Sequence, residues 1–175
     1  MAENPYDKMN IALIGFSGTG KTTVARLLAK KLGKKFISTD DEIEKKAKMS
    51  KSKFVKSYGL EKFFELESEV IENVSGLDEC VFDTSGGIVI RNENIINLKK
   101  SALIVLLMAD IRTMMSRSKK SNQSAKKNRI DEIKNVLQER ESKYKKAADY
   151  AIDTSRLSPE ETCDLISHYI QMELR

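Results

Sequence analysis

Short apolar runs alternate along the chain with segments whose apolar residues recur at helical spacing. The runs are nearly continuous in apolar residues, which is typical of strands in a parallel sheet buried on both faces. They cover 10–15, 35–39, 80–84, 101–109 and 150–154, and helical spacing is found at 21–32, 60–74, 92–99, 130–147 and 159–172. A capping box, Ser158 with Glu161, marks the start of the last helix. This alternation predicts an α/β sandwich with right-handed crossovers, folded as one domain over residues 1–175.

The composition supports a single globular domain. The chain has 175 residues, 40% hydrophobic and 33% charged, which is enough for a buried core and excludes wholesale disorder. Its longest uncharged apolar run, 102–109, is far shorter than the roughly 20 residues that span a membrane. Residues 1–10 lack the features of a signal peptide. Cys80 and Cys163 stand apart, with no metal-ligand spacing, so we expect neither a disulfide nor a cysteine metal site and predict a cytoplasmic protein.

Positive charge is concentrated in one segment. The net charge is +5 and the pI is about 9.1, and residues 116–146 contain eleven Lys or Arg against four Asp or Glu. The segment begins with the low-complexity stretch 116–129, which predicts an exposed, mobile loop within the domain. Such a segment suits a flap over phosphate groups or a nucleic acid surface. Nucleic acid is the weaker hypothesis, because Tyr144 is the only aromatic residue that could stack on bases there.

The strongest motif is Gly-Phe-Ser-Gly-Thr-Gly-Lys-Thr at 15–22, which matches the phosphate-binding loop pattern G-x-x-x-x-G-K-[ST] between a predicted strand and a predicted helix. Backbone N–H groups of such a loop point at phosphate oxygens, and the helix N-terminus adds partial positive charge. Lys21 is expected to act catalytically on the β- and γ-phosphates of ATP, and Thr22 to ligate Mg²⁺. The residues expected to bind the nucleotide are Gly15, Phe16, Ser17, Gly18, Thr19, Gly20, Lys21, Thr22 and Thr23.

A magnesium ion beside this loop needs a carboxylate from a neighbouring strand end. Asp83 is the candidate, because it closes the apolar run Cys-Val-Phe-Asp at 80–83. Aspartate is also common in turns, so the alternative is that Asp83 only caps a turn. The sequence leaves both interpretations open.

Several further motifs follow in order along the chain. They are Phe-Ile-Ser-Thr-Asp-Asp-Glu-Ile-Glu at 36–44, Gly-Leu-Glu-Lys-Phe-Phe-Glu-Leu-Glu at 59–67, Thr-Ser-Gly-Gly-Ile-Val at 84–89, Leu-Gln-Glu-Arg-Glu-Ser-Lys-Tyr at 137–144 and Ala-Asp-Tyr-Ala-Ile-Asp at 148–153. Together with the phosphate-binding loop, they resemble the shikimate kinase family of small P-loop kinases, over residues 11 to about 155.

The resemblance implies a three-layer α/β/α fold with a five-stranded parallel sheet, a substrate-binding helical region at about 40–75 and a mobile lid at about 116–129. It also implies transfer of the γ-phosphate of ATP, with Mg²⁺, to a hydroxyl of shikimate or a similar small acid, in aromatic amino acid biosynthesis. We expect an anionic small-molecule acceptor, a monomeric protein and no membrane partner.

The resemblance assigns roles to five residues outside the phosphate-binding loop. Asp40 matches a residue that contacts the acceptor hydroxyls and is the candidate catalytic base. Gly86 and Gly87 match an acceptor-binding loop, Arg140 an arginine that grips the acceptor carboxylate, and Arg117 an arginine that packs against adenine. From the pattern alone, Asp40 also suits the N-cap of a following helix. Arg140, which is flanked by glutamates, also suits a solvated helix position.

Some positions depart from the family pattern. Ser38 stands where the family has the first Asp of an Asp-x-Asp pair that helps hold Mg²⁺, and Asp83 stands where it has a small residue. We interpret this pair as a magnesium carboxylate moved to the neighbouring strand end. Phe64 replaces an arginine that binds the substrate carboxylate, and Ser85 replaces the first of three glycines. The lid lacks the family's arginine motif, and its cation would come from Lys119, Lys120, Lys126, Lys127 or Arg129.

These departures keep two alternative functions open. Losing one arginine–carboxylate pair costs about 1.5–3 kcal/mol, or one to two decades of affinity. The first alternative is therefore a related kinase with another acceptor, such as a sugar acid, a nucleoside or a nucleotide. The second is an ATP-binding regulatory module that has lost turnover.

Overall fold

A five-stranded parallel sheet forms the centre of the fold. The computed structural model describes residues 9–117 and 123–173, and in the second range it describes side chains from residue 129 onward. The strands are β1 (Asn10–Ile14), β2 (Lys35–Ser38), β3 (Cys80–Asp83), β4 (Ala102–Met108) and β5 (Tyr150–Asp153), in the order β2-β3-β1-β4-β5. All neighbouring strands are parallel. The predicted strands are confirmed to within one residue at either end.

The described helices include all those predicted. They are α1 (Lys21–Leu32), α2 (Thr39–Ala47), α3 (Lys51–Tyr58), α4 (Leu60–Val74), α5 (Asn92–Lys99), α6 (Ile111–Arg117), α7 (Gln123–Ala147) and α8 (Pro159–Glu173). The capping box of α8 is confirmed, because Ser158 Oγ accepts from the Glu161 N–H at 3.1 Å and Glu161 Oε2 accepts from the Ser158 N–H at 2.7 Å. Within the two described ranges, no helix combines the length and apolarity needed to cross a membrane.

Three helices and one helix start were not predicted from the spacing of apolar residues. Helix α2 was expected only as the helix that Asp40 would cap, and α2 and α3 fall in the helical region at about 40–75 that the resemblance implied. Helix α3 buries no residue, and α6 was not expected at all. The α7 helix begins at Gln123 rather than at 130, and α6 extends to Arg117, so the loop prediction for 116–129 is wrong over 116–117 and over 123–129. That stretch contains good helix formers but no apolar periodicity that would reveal a helix. Residues 118–122, and with them Lys119 and Lys120, lie outside the described residues, as do the side chains of Lys126 and Lys127.

Helices cover both faces of the sheet. Successive strand residues point to opposite faces, so neighbours in β1 belong to different cores. Ile14 packs in a cluster with residues of α2, α4, α5 and α7, whereas Leu13 packs in a cluster with residues of α1 and α8. Cys80 lies in the first cluster and Cys163 in the second, and both are buried free thiols. These layers form the predicted three-layer α/β/α sandwich.

The strand order marks one edge of the sheet for ligand binding. Strand β1 lies at the centre, between β3 and β4; the chain runs from β1 to β2 on one side of it, and the connection after β3 passes to β4 on the other side. In open α/β sheets, ligands bind at the carboxyl ends of strands where the strand order reverses in this way. The phosphate-binding loop follows β1 and the acceptor-loop candidates follow β3, so the fold brings these separate motifs to one edge.

Candidate active site

The phosphate-binding loop is tightly packed on the elements beside it. At Gly15, with φ 139°, an added Cβ would lie 2.2 Å from the Leu107 backbone oxygen, and at Gly18, with φ 87°, it would lie 2.8 Å from the Met114 backbone oxygen. No larger residue fits these positions without displacing backbone. The start of α1 has no side-chain cap, because residue 20 is glycine. The first N–H groups of α1 are therefore open to an anionic ligand.

Lys21, the first residue of α1, folds back over this loop. Its side chain is buried, and Nζ donates to the backbone oxygens of Gly15 at 2.9 Å and Phe16 at 3.1 Å. Burial lowers the pKa of Lys21, and the negative charges of Asp83 and Asp40 oppose that shift. The ammonium group therefore lies in a desolvated position where a phosphate group would stabilise its charge.

Thr22 and Asp83 are brought together by the pairing of β1 with β3. The Thr22 hydroxyl donates to Asp83 Oδ2 at 2.6 Å, and Asp83 is buried. Burial raises the pKa of Asp83, while the Thr22 hydrogen bond and the Lys21 charge act against the increase. Asp83 therefore points at the phosphate-binding loop. Its Cα is also the register partner of Ser38 in the β2–β3 ladder, so the two positions at which the sequence departs from the family are side by side.

One cavity of about 770 Å³ unites most of the predicted site residues. The predicted residues that line it are Phe16, Ser17, Gly18, Thr19, Gly20, Lys21, Thr22, Thr23, Asp40, Asp83, Gly86, Gly87, Arg117 and Arg140. Lys51, which the sequence did not single out, also lines this cavity. Residues from six separate parts of the chain thus face one space, which is large enough for a nucleotide and a small acceptor together.

Arg117 closes the end of the cavity beside the phosphate-binding loop. Its Nη2 donates to the Thr154 backbone oxygen at 2.8 Å, and its Nη1 donates to the Thr154 hydroxyl at 3.0 Å and to the Thr19 backbone oxygen at 3.3 Å. Thr154, which directly follows β5, is buried and was not predicted as a site residue. Its position after the last apolar run was the available sequence signal. These bonds hold the Arg117 guanidinium plane against the phosphate-binding loop.

Arg140 and Tyr144 both hydrogen-bond to Gly86 at the opposite end of the cavity. Arg140 Nη1 donates to the Gly86 backbone oxygen at 2.9 Å, and the Tyr144 hydroxyl donates to the same oxygen. Arg140 is half-buried and lines the cavity, so it is not the freely solvated helix residue that the pattern also allowed. Burial raises the pKa of Tyr144, which keeps its hydroxyl protonated as a donor. Tyr144 is therefore a positioning residue that the sequence did not identify.

Asp40 lies at the start of α2 and faces the same cavity. The N-cap of α2 is Ser38, whose Oγ accepts from the Asp41 N–H at 3.2 Å, so the alternative that Asp40 is the cap is wrong. Asp40 is exposed, and no hydrogen bond is found for its side chain among the described residues. Its carboxylate is thus available to a ligand in the cavity.

A buried carboxylate, Glu67, supports the acceptor loop from below. Glu67 is 0% exposed and accepts from the Ser85 hydroxyl through Oε1, while Asn94 Nδ2 lies 3.5 Å from Oε2. The Ser85 N–H donates in turn to the Thr39 hydroxyl at 3.2 Å. Burial raises the pKa of Glu67, and the Ser85 hydrogen bond opposes that shift. The sequence signal was available, because Glu67 falls on the apolar stripe of α4 at helical spacing from Phe63.

Replacing Glu67 with glutamine should change how stability depends on pH. Because the pKa of Glu67 is higher in the folded protein than in the unfolded chain, the wild type loses stability as pH rises from the ordinary carboxyl pKa through the folded pKa. Glu67→Gln lacks this titration, so its free energy of unfolding relative to the wild type should increase with pH across that window and then level off. Urea denaturation between pH 4 and pH 8 measures the difference. The matched control is Glu72→Gln, an exposed position on α4, which should show no such trend.

Phe64 does not line the cavity but lies directly behind it. A Cβ added at Gly87 would be 3.6 Å from the Phe64 ring, and this ring meets Phe63 edge to face with centroids 6.1 Å apart. The wall behind the acceptor loop is therefore apolar, as expected from the substitution at this position.

Comparisons with known proteins agree with this geometry. The family model for shikimate kinase matches residues 17–171. The shikimate kinase of Thermodesulfovibrio yellowstonii is 40% identical over 160 residues, which cover 90% of this chain and 92% of the relative. The shikimate kinase of Caldanaerobacter subterraneus subsp. tengcongensis is 38% identical over 170 residues, with 95% and 99% covered.

Solved structures give the same result. The shikimate kinase of Acinetobacter baumannii in complex with shikimate superposes with a TM-score of 0.88 at 26% identity, covering 96% of each chain. The enzyme of Aquifex aeolicus superposes with a TM-score of 0.80 at 29% identity, covering 94% of this chain and 98% of the other. This chain therefore belongs to the shikimate kinase family, and it is a kinase that transfers a phosphoryl group to a hydroxyl acceptor.

Proposed function

We propose that this protein transfers the γ-phosphate of ATP to a hydroxyl of shikimate or of a closely similar small cyclic acid. One observation carries the proposal: a phosphate-binding loop, a free carboxylate and an arginine face a single cavity from separate elements. Phosphoryl transfer requires positioning and charge neutralisation rather than covalent chemistry by the protein. These three groups meet both requirements, since one binds the donor, one orients the acceptor and one fixes the anionic end of the acceptor.

The ATP end is formed by the phosphate-binding loop, Lys21 and Arg117. Backbone N–H groups of the loop and of the α1 N-terminus bind phosphate oxygens. When ATP binds, the Lys21 ammonium gives up its hydrogen bonds to the backbone oxygens of Gly15 and Phe16 and donates to the β- and γ-phosphates instead. The phosphates carry more negative charge than the carbonyl groups do. Arg117, fixed by Thr154, packs against the purine base.

The oxygen donors Thr22 and Asp83 fit a magnesium ion. Mg²⁺ prefers hard oxygen ligands and uses only one or two carboxylates, with water and substrate phosphates completing its shell. A hydroxyl and a carboxylate 2.6 Å apart beside the phosphate-binding loop meet this requirement. When bound, the ion neutralises charge on the phosphate oxygens.

Asp40 and Arg140 act on the acceptor. Asp40 orients the acceptor hydroxyl and takes its proton as the oxygen bonds to the γ-phosphorus and the bond from that phosphorus to the β–γ bridging oxygen breaks. A guanidinium has five N–H donors, and Gly86 receives only one of those of Arg140. The remaining donors of Arg140 bind the carboxylate of the acceptor. A basic residue from the predicted lid closes over the transferred group and excludes water.

The setting of the reaction follows from the same features. One chain supplies both ends of the cavity, which supports a monomer as the active form. Both cysteines are free thiols, which supports a reducing compartment, the cytoplasm. Phosphorylation of shikimate would place the protein in aromatic amino acid biosynthesis.

The test is an acceptor assay with purified protein, MgATP and a panel of shikimate, a neutral ester of shikimate, a sugar acid and a nucleoside monophosphate. We expect ADP release to depend on shikimate, with a phosphate ester detected by ³¹P NMR. Faster turnover with another member of the panel would identify a different acceptor. Binding of MgATP without acceptor-dependent ADP release from any member would contradict the proposal and favour a regulatory ATP-binding module.

A further inference from the structure

Lys51 is a second cation at the acceptor end of the cavity, and no role has been assigned to it so far. It is the first residue of α3, directly after the N-cap Ser50, and it lines the same cavity as Asp40 and Arg140. Its backbone N–H donates to Glu44 Oε1 at 2.9 Å, which fixes the start of α3 relative to α2. The side chain therefore starts from a fixed backbone position at the cavity wall.

The ammonium group of Lys51 rests on an aromatic ring. Its Nζ lies 4.5 Å from the centroid of the Phe63 ring, and Phe63 is only 1% exposed. A cation–π contact of this kind holds an ammonium in place without neutralising its charge. Among the described residues, no carboxylate lies within ion-pair distance of Lys51 Nζ. The charge of Lys51 is thus held at the cavity while its donors stay available.

Lys51 lines the same cavity as Asp40 and Arg140. Glu67 lies within electrostatic reach of Lys51, Asp40 and Arg140 together. Its own oxygens are occupied by Ser85 and Asn94, so it supports these groups from below without binding Lys51. Lys51, Asp40 and Arg140 therefore share one end of the cavity, and a small acceptor bound there meets two cations and one carboxylate.

The aromatic wall behind this end offers no polar partner to an anion. Phe63 and Phe64 pack edge to face, and neither side chain has a hydrogen-bond donor. A second cation for an acceptor carboxylate therefore has to come from another element, and Lys51 on α3 lines the cavity where it could supply one.

We propose that Lys51 binds the carboxylate of the acceptor jointly with Arg140 and thereby selects an acidic substrate; this assignment rests on the proposed function. Arg140 offers a planar fork of donors, whereas Lys51 offers a compact charge that approaches from a different element. The acceptor chemistry that suits this pair is a small ring that carries one carboxylate and at least one hydroxyl.

The experiment compares Lys51→Met and Lys51→Arg with the wild type. We expect Lys51→Met to raise KM for shikimate about 10- to 100-fold, while KM for ATP changes by less than about twofold. Lys51→Arg should restore most of the affinity, because it returns the charge. A neutral methyl ester of shikimate should bind no more weakly to Lys51→Met than to the wild type. The matched control is Lys53→Met, an exposed position two residues along α3 that does not line the cavity.

The outcomes separate this inference from the proposed function. Calorimetry of shikimate binding in the presence of a non-hydrolysable ATP analogue is run beside the kinetics. If the wild type phosphorylates shikimate and Lys51→Met has an unchanged KM, only the assignment of Lys51 is overturned. Binding that depends on Lys51 without turnover would support Lys51 and overturn the proposed kinase reaction. A wild type that neither binds nor phosphorylates shikimate overturns both.

Discussion

Lys21→Met should reduce kcat/KM about 10³-fold or more, because it removes the cation that neutralises charge on the transferred phosphoryl group. The fold should survive the change. Burial lowers the pKa of Lys21, so the folded protein tolerates the charged side chain poorly, and an uncharged chain of similar length removes that cost. We therefore expect a thermal midpoint for the ligand-free variant that is equal to or above that of the wild type. Coupled measurement of ADP release and thermal denaturation test the two halves of this prediction.

Lys30→Met is the matched control for this experiment. Lys30 lies on the same helix, α1, but is exposed and near its C-terminal end. Its replacement should leave both activity and the binding of MgATP unchanged. If Lys21→Met keeps its activity to within about tenfold, the loop does not neutralise phosphate charge through this residue. Failure to bind any purine triphosphate in the wild type would remove the basis for the nucleotide site altogether.

Asp83→Asn should raise the Mg²⁺ concentration needed for activity and lower kcat/KM about 10²–10³-fold. Asparagine has nearly the same shape and still accepts the Thr22 hydrogen bond, so the variant removes the charge alone. Because burial raises the pKa of Asp83, ionising it costs the folded protein stability once pH exceeds the carboxyl pKa. The ligand-free variant should therefore melt at a higher temperature at neutral pH. Titration of activity with Mg²⁺, followed by a thermal melt, measures both effects.

Two companion variants make this result specific. Asp78→Asn alters an exposed aspartate before β3, at the opposite end from the site, and should behave as the wild type. Asp40→Asn should lower kcat while leaving the Mg²⁺ dependence unchanged, because Asp40 is assigned to the acceptor hydroxyl. If Mg²⁺ dependence is lost in Asp40→Asn and kept in Asp83→Asn, the magnesium carboxylate lies on α2 and the proposed relocation to β3 is wrong.

The pairing of Ser38 with Asp83 gives the proposed relocation of the magnesium carboxylate a physical basis. These residues are register partners at the carboxyl ends of β2 and β3, and neighbouring strands lie roughly 4.8 Å apart. Exchanging serine and aspartate across that ladder moves the carboxylate by about one strand spacing. It stays beside the Thr22 hydroxyl, to which it is now hydrogen-bonded. Ser38, at the position where the family has an aspartate, acts as the N-cap of α2.

Features that depend on contiguous residues could be predicted from the amino-acid sequence. The phosphate-binding loop is a single run of eight residues, so its backbone path and the position of Lys21 follow from local chemistry. The strands were predicted because each is a nearly continuous apolar run, and a strand buried on both faces has few positions at which a polar residue can be accommodated. Asp83 was found because it closes one of those runs. The spacing of apolar residues did not reveal α2 and α3, because their exposed positions outnumber their buried ones.

Contacts between residues that are distant in the sequence became visible only in the fold. Lys51 on α3 and Thr154 after β5 line one cavity, and Tyr144 on α7 hydrogen-bonds to Gly86 in its wall, although none of the three was predicted as a site residue. The burial of Glu67 beneath Ser85 and the exposure of Asp40 in front of it likewise depend on how α2 and α4 pack against the sheet. Side-chain neighbours across separate elements are set by long-range packing, whereas a motif or an apolar run is set by its own residues. The phosphate-binding loop could therefore be predicted from the sequence, whereas the partners of Arg117 and Arg140 were set by the fold.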